Sequence, residues 1–118
     1  MTTIQRLHTQ PRMSKVVVHG VVAYLCGQTS SGSPAADITE QTQEVLRRID
    51  DLLSQVGSHR ELLLSVLIHL KSMDDFAAMN AAWESWVPAG TAPARTTVQA
   101  SLAHDSLLVE MTVVAAVG

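Results

Sequence analysis

With 118 residues, 47% of them apolar, the chain is long enough to bury one core and too apolar to stay disordered, so a single domain over residues 1–118 is expected. Its formal net charge of -3, without any basic run, argues against a protein that tracks nucleic-acid phosphates. One cysteine, Cys26, excludes an internal disulfide and any paired-cysteine metal motif; the five histidines show no ligand spacing, so no metal site and no other cofactor is expected.

Residues 3–9 alternate weakly, with Ile4 and Leu7 as the apolar positions, and predict a short edge strand. The stretch up to Arg12 has no apolar segment of the kind a signal peptide needs. The longest apolar runs are broken by His19-Gly20 and by Glu110, so no membrane span and a cytoplasmic location are expected. Two β-branched runs, 15–19 and 21–26, flank His19-Gly20 and predict a tight hairpin. Residues 29–34 are loop by composition.

Asp37-Ile38-Thr39-Glu40 fits a capping box. Behind it Val45, Leu46, Ile49, Leu52, Leu53 and Val56 recur at helical spacing, charges fill the other face, and Gly57 ends the helix. Residues 62–70 are apolar on both faces: Leu62, Leu64, Val66, Ile68 and Leu70 on one, Leu63 and Leu67 on the other. The β-branched Val66 and Ile68, and the cap Ser72-Met73-Asp74-Asp75 directly after, favour a central strand over a helix, with His69 near the strand end. Phe76, Met79, Trp83, Trp86 and Val87 form a second helical stripe, ended by Pro88-Ala89-Gly90; both tryptophans read as packing residues.

Strands at 95–102 and 107–117 follow, joined by the polar segment Ala103 to Ser106. The order β-β-β-α-β-α-β-β predicts an α+β fold in which two helices cover one face of a mixed sheet. Because the strands at 62–70 and 107–117 are apolar on both faces, the second face would form a larger patch than a monomer exposes. Association into a closed ring of identical subunits is expected.

The chemistry centres on two isolated charges. Pro93 marks the entry to a strand, and the alternation behind it sends Arg95, Thr97 and Gln99 to one side. Glu110 is the one charge in the last strand, which reads as the partner of the arginine strand. Two readings stand side by side. The pair is a structural ion bridge between strands, or it is a clamp and an acceptor. A guanidinium fork suits a carboxylate ligand, and a carboxylate can aim a water. Cys26 reads first as a small buried hydrophobe. Tyr24 reads equally as a core or a cleft residue.

In order and spacing, Cys26-Gly27-Gln28, Asp74-Asp75-Phe76-x-x-Met79-Asn80, Pro93-Ala94-Arg95 and Val109-Glu110-Met111 resemble the signatures of the Rid family (YjgF/YER057c/UK114, the endoribonuclease L-PSP-like proteins). The likeness spans nearly the whole chain. It implies a chorismate-mutase-like α+β fold and a homotrimer with clefts between subunits. It also implies cofactor-free hydrolysis of 2-imino acids or their enamines, such as 2-iminopropanoate and 2-iminobutanoate, to 2-keto acids and ammonia. By the resemblance Arg95 binds the substrate carboxylate and Glu110 positions the water. Thr97 lines the cleft through its backbone, and Cys26 with Gly27 belongs to the substrate-binding side, where Tyr24 is carried as a further lining residue. The partners implied are a small imino or keto acid and further copies of the chain, with neither nucleic acid nor membrane. The chain departs from its relatives in lacking a tyrosine in Pro11-Arg12-Met13-Ser14 and in having Leu102-Ala103 where they often have Leu-Pro. These departures motivate an alternative, a non-catalytic trimer of the same family that binds or senses a small carboxylate.

Overall fold

The structure, a computed structural model, describes residues 3–118. Strands β1 (Ile4–Leu7), β2 (Val16–His19) and β3 (Val22–Leu25) precede helix α1 (Ile38–Gln55). Strand β4 (Leu63–Leu70), helix α2 (Phe76–Trp86), and strands β5 (Ala94–Gln99) and β6 (Val109–Ala116) complete the expected order. They form one mixed sheet, β1-β2-β3-β6-β4-β5, in which only the β4–β5 pair is parallel. The parallel pair is joined through α2, as a crossover requires.

Local chemistry explains the elements. Asp37 accepts from the backbone N–H of Glu40, and Glu40 accepts from that of Asp37, so the predicted capping box is present. Gly57, at φ +72°, supplies the left-handed turn past the helix end. Gly20, at φ +63°, does the same in the β2–β3 hairpin. Ser72 caps a short 3-10 turn, Met73–Asp75, rather than the helix itself; α2 starts on Asp75 without a side-chain cap.

The core lies between the helices and one sheet face. Val16, Val18, Ala23 and Leu25 meet Val66, Ile68 and Leu70 of β4 and the alternating Val109, Met111, Val113 and Ala115 of β6. Val45, Leu46, Ile49, Leu52 and Leu53 of α1, with Met79, Trp83 and Trp86 of α2, close it from above. Each large side chain buried this way contributes about 1.5–3 kcal/mol. Two polar ties lock the layers. Asp50 accepts from Arg60 Nε and Nη2 at 2.9 and 2.8 Å and from Trp86 Nε1 at 3.0 Å. The buried Gln41 donates to Ser106 O at 2.9 Å and accepts from Leu108 N at 2.8 Å, fixing the entry to β6.

Three expectations need correction. The strands carrying Arg95 and Glu110 are not partners: β4 lies between them. The faces of β4 are not as simple alternation assigns them, because a register shift between Leu63 and Ser65 puts Leu63 in the core and leaves Leu64 exposed. Strand β5 ends at Gln99 rather than at residue 102, because its ladder partner β4 stops at Leu70, with Ala100 N donating to Leu70 O as the last rung.

The opposite sheet face has no helix over it. Tyr24, Leu64, Leu67 and Val98 stand exposed there. Among the described residues no helix is long and apolar enough to cross a membrane.

Candidate functional site

Cross-strand neighbours share a face of a sheet, and this fixes where each candidate points. Arg95 is level with Val66, and Val66 with Val113; the two valines are core residues. Arg95 therefore projects to the helix side, and Thr97, level with Ile68, follows it. Glu110 is level with His69, which is level with Val98, and all three project from the open side. Arg95 and Glu110 point to opposite faces of one sheet. The structural ion bridge read from the sequence is thereby overturned: within one chain the two groups do not meet.

The Arg95 guanidinium lies over two rings of α2, with its carbon 5.5 Å from the centroid of Trp83 and 6.0 Å from that of Phe76. Ring faces hold the cation in place yet leave its N–H donors free for an anion. Among the described residues the ion pairs are Arg47–Glu44, Arg48–Glu44 and Arg60–Asp50, so Arg95 is not neutralised by any of their carboxylates. On β5 and α2, the elements that hold Arg95, two polar atoms are buried without a hydrogen-bond partner: Thr97 Oγ1 and Asn80 Oδ1. Asn80 sits one turn after Phe76 and one before Trp83, on the helix stripe that flanks Arg95. Each orphan costs about 1–3 kcal/mol unless something satisfies it.

On the open side, Glu110 packs against the backbone of Gly27. A side-chain carbon at Gly27 would fall 2.8 Å from the Glu110 carboxyl carbon, so only glycine leaves the carboxylate where it is. Gln28 and Met111 exchange both backbone hydrogen bonds, at 2.8 and 3.0 Å, and hold the 26–28 segment beside β6. Tyr24, level with Val114, shares this face and is exposed, which removes its core reading. The Cys26 thiol accepts from Gln28 Nε2 at 3.3 Å. Burial pushes its pKa above the ordinary 9.0; Gln28 and Lys15 oppose this, and Glu110 adds to it. Cys26 is therefore a neutral thiol near pH 7 and no nucleophile.

The family model described as Endoribonuclease L-PSP matches residues 3–117. The crystal structure of a member of the YjgF protein family from Neisseria meningitidis superposes with a TM-score of 0.94 at 35% identity, over 98% of this chain and 96% of that one. The chain belongs to the Rid/YjgF family. Relatives within it include the RutC family protein YoaB of Escherichia coli K12, 44% identical over 115 residues, which are 98% of this chain and 99% of YoaB. A RutC family protein of Haemophilus influenzae is 40% identical over 113 residues, 96% of this chain and 97% of its own.

In this Rid-family chain the fold gathers the sequence candidates into two groups on opposite faces of the sheet. Arg95 and Thr97 stand together at the β5 edge, under α2; Tyr24, Cys26, Gly27 and Glu110 stand together on the open face. Two residues given no role in the sequence reading join them. Asn80 was visible only as part of a motif. His69 lies near the end of β4, as expected, but its place level with Glu110 needs the β4–β6 register.

Proposed function

We propose that this chain, as one Rid-like domain over residues 1–118, hydrolyses reactive 2-imino acids or enamines to 2-keto acids and ammonia. The cleft lies between copies of a homotrimer. The observation that carries the reading is the pair of incomplete half-sites. An unneutralised guanidinium is braced on two rings at one sheet edge, and a carboxylate is held against Gly27 on the opposite face. Two copies are needed to bring them together. The apolar open face, with Tyr24, Leu64, Leu67 and Val98, supports such packing.

Arg95 of one copy clamps the substrate carboxylate through two parallel N–H donors. Thr97 lines the cleft beside it. Glu110 of the next copy accepts a proton from a water aimed at the imine carbon. The C–O bond forms as the C=N pair moves to nitrogen, and the carbinolamine then collapses to the keto acid with loss of ammonia. This chemistry needs neither a metal nor an organic cofactor. The printed description of the matching family names an endoribonuclease. A chain of net charge -3 without a basic run gives no support to an RNA substrate here.

The test generates 2-iminobutanoate in situ and follows 2-oxobutanoate release, with thermal shifts by 2-oxobutanoate as the binding readout. The expected result is acceleration above solvent by the folded protein, and its loss together with the thermal shift in Arg95→Ala. Losing a charged hydrogen-bond clamp costs about 1.5–3 kcal/mol, a tenfold or greater fall in rate. Thermal shifts without turnover would identify the carboxylate-binding alternative. No acceleration by the wild-type protein ends the enzymatic reading.

A further inference from the structure

His69 faces Glu110, yet the reaction just described makes no use of it. The two are direct partners on antiparallel β4 and β6 and point to the same open face. Such partners hold their first side-chain carbons about 4.5–5.5 Å apart. The His69 ring is only partly exposed, and its Nδ1 is buried without a hydrogen-bond partner.

The other groups around it are few. From β5 it meets Val98, and along its own strand Leu67, neither of which titrates. Lys71, next on that face, gives its ammonium to Asp105 O at 2.6 Å. Cys26 is near enough to Glu110 for the carboxylate to act on its thiol. Glu110 is thus the charged residue level with His69; its carboxylate leans to Gly27, and among the described residues it makes no ion pair with the imidazole, which leaves both free for a shared substrate.

We propose that His69 is a proton carrier in the imine hydrolysis, working in tandem with Glu110 of its own chain; the inference rests on the function proposed above. As water adds to the imine carbon, its proton passes to the Glu110 carboxylate while the His69 imidazolium protonates the nitrogen that receives the C=N pair. In the second half the protonated Glu110 gives its proton to the leaving nitrogen as the C–N bond breaks. The carbinolamine hydroxyl returns a proton to His69 as C=O forms. One imine and one water become one carbonyl and one ammonia, and both side chains return to their starting states. An imidazole suits this cycle because it gains and loses protons near neutral pH.

The deciding experiment compares pH–rate profiles of 2-iminobutanoate hydrolysis for the wild type, His69→Gln and His69→Phe, between about pH 5 and 9. The expected result is a kcat at least tenfold lower in both variants with KM within about twofold, and loss of the limb that the imidazole imposes on the wild-type profile. Unchanged profiles in both His69 variants overturn the inference while leaving the hydrolase reading intact. Absence of hydrolysis by the wild type overturns both.

Discussion

Gly27 and Glu110 are packed so closely that a methyl group on the glycine and the carboxylate of the glutamate cannot occupy their present positions together. The backbone at Gly27 is not left-handed, so alanine is conformationally acceptable there. What gives way is the end of the Glu110 side chain. Gly27→Ala is therefore expected to keep its thermal midpoint within about 3 °C of wild type, since the change touches no core group. If Glu110 aims the water as proposed, imine hydrolysis should fall more than tenfold, because misplacing such a carboxylate by about 1 Å costs that much or more. A parallel melting curve and rate assay check both halves.

The opposed faces of Arg95 and Glu110 lead to a mixing experiment. In the ring proposed above, each cleft would take its arginine from one copy and its glutamate from the next. Arg95→Ala and Glu110→Gln homomers should each be inactive. Refolding the two together in equal amounts should restore up to about a quarter of the clefts, those whose two intact residues fall side by side. Recovered activity on mixing is the measurement. No recovery, with mixed rings confirmed by native mass spectrometry, would contradict a shared cleft.

Asp50 is the tie between α1 and α2. It accepts from Arg60 Nε and Nη2 and from Trp86 Nε1, while Arg60 also stacks 5.1 Å from the Trp86 ring centroid. Asp50→Ala leaves a part-buried indole N–H and a guanidinium without their acceptor. The expected loss is about 1–3 kcal/mol, seen as a fall of several degrees in the thermal midpoint. Asp51→Ala, which removes only an exposed bond from Gln55 Nε2, should change the midpoint far less.

Cys26 sets an alkaline limit. Burial raises the thiol pKa in the folded chain above 9.0. As pH climbs past about 9 the unfolded chain gives up this proton first, so the folded state binds more protons and loses stability relative to it. The contribution is whole below that pH and disappears as pH rises through the folded value. The gap in midpoint between wild type and Cys26→Ser should thus shift against the wild type above pH 9 and stay flat below it. Alkylation of Cys26 by iodoacetamide at pH 8 should run slower than that of a free thiol.

Much of the site was legible in the chain because its charges are isolated in apolar runs. Arg95 behind Pro93 and Glu110 inside 107–117 stand out as costly residues that need a reason, and four short motifs in register pointed to the family. Gly27 was legible as a motif member but not as the residue that makes room for Glu110. Asn80 is legible only as a motif member and His69 only as a residue near a strand end; neither shows its role locally, since an unpaired buried atom exists only once neighbouring elements have closed over it.

The sequence by itself determined the elements and their chemistry: the capped helix α1, the stripe of α2, the strands, and the identity of the two charged candidates. Helical periodicity and capping are local, encoded within a few residues of where they act. The tertiary structure alone decided that β6 lies between β3 and β4. It alone decided that a bulge reassigns the faces of β4 before Ser65, and that Arg95 is level with Val66 but Glu110 with His69, three residues along β4, so that the two look away from each other. Strand order and register are settled by contacts between residues far apart in the chain, and a shift of one position sends a side chain to the other face.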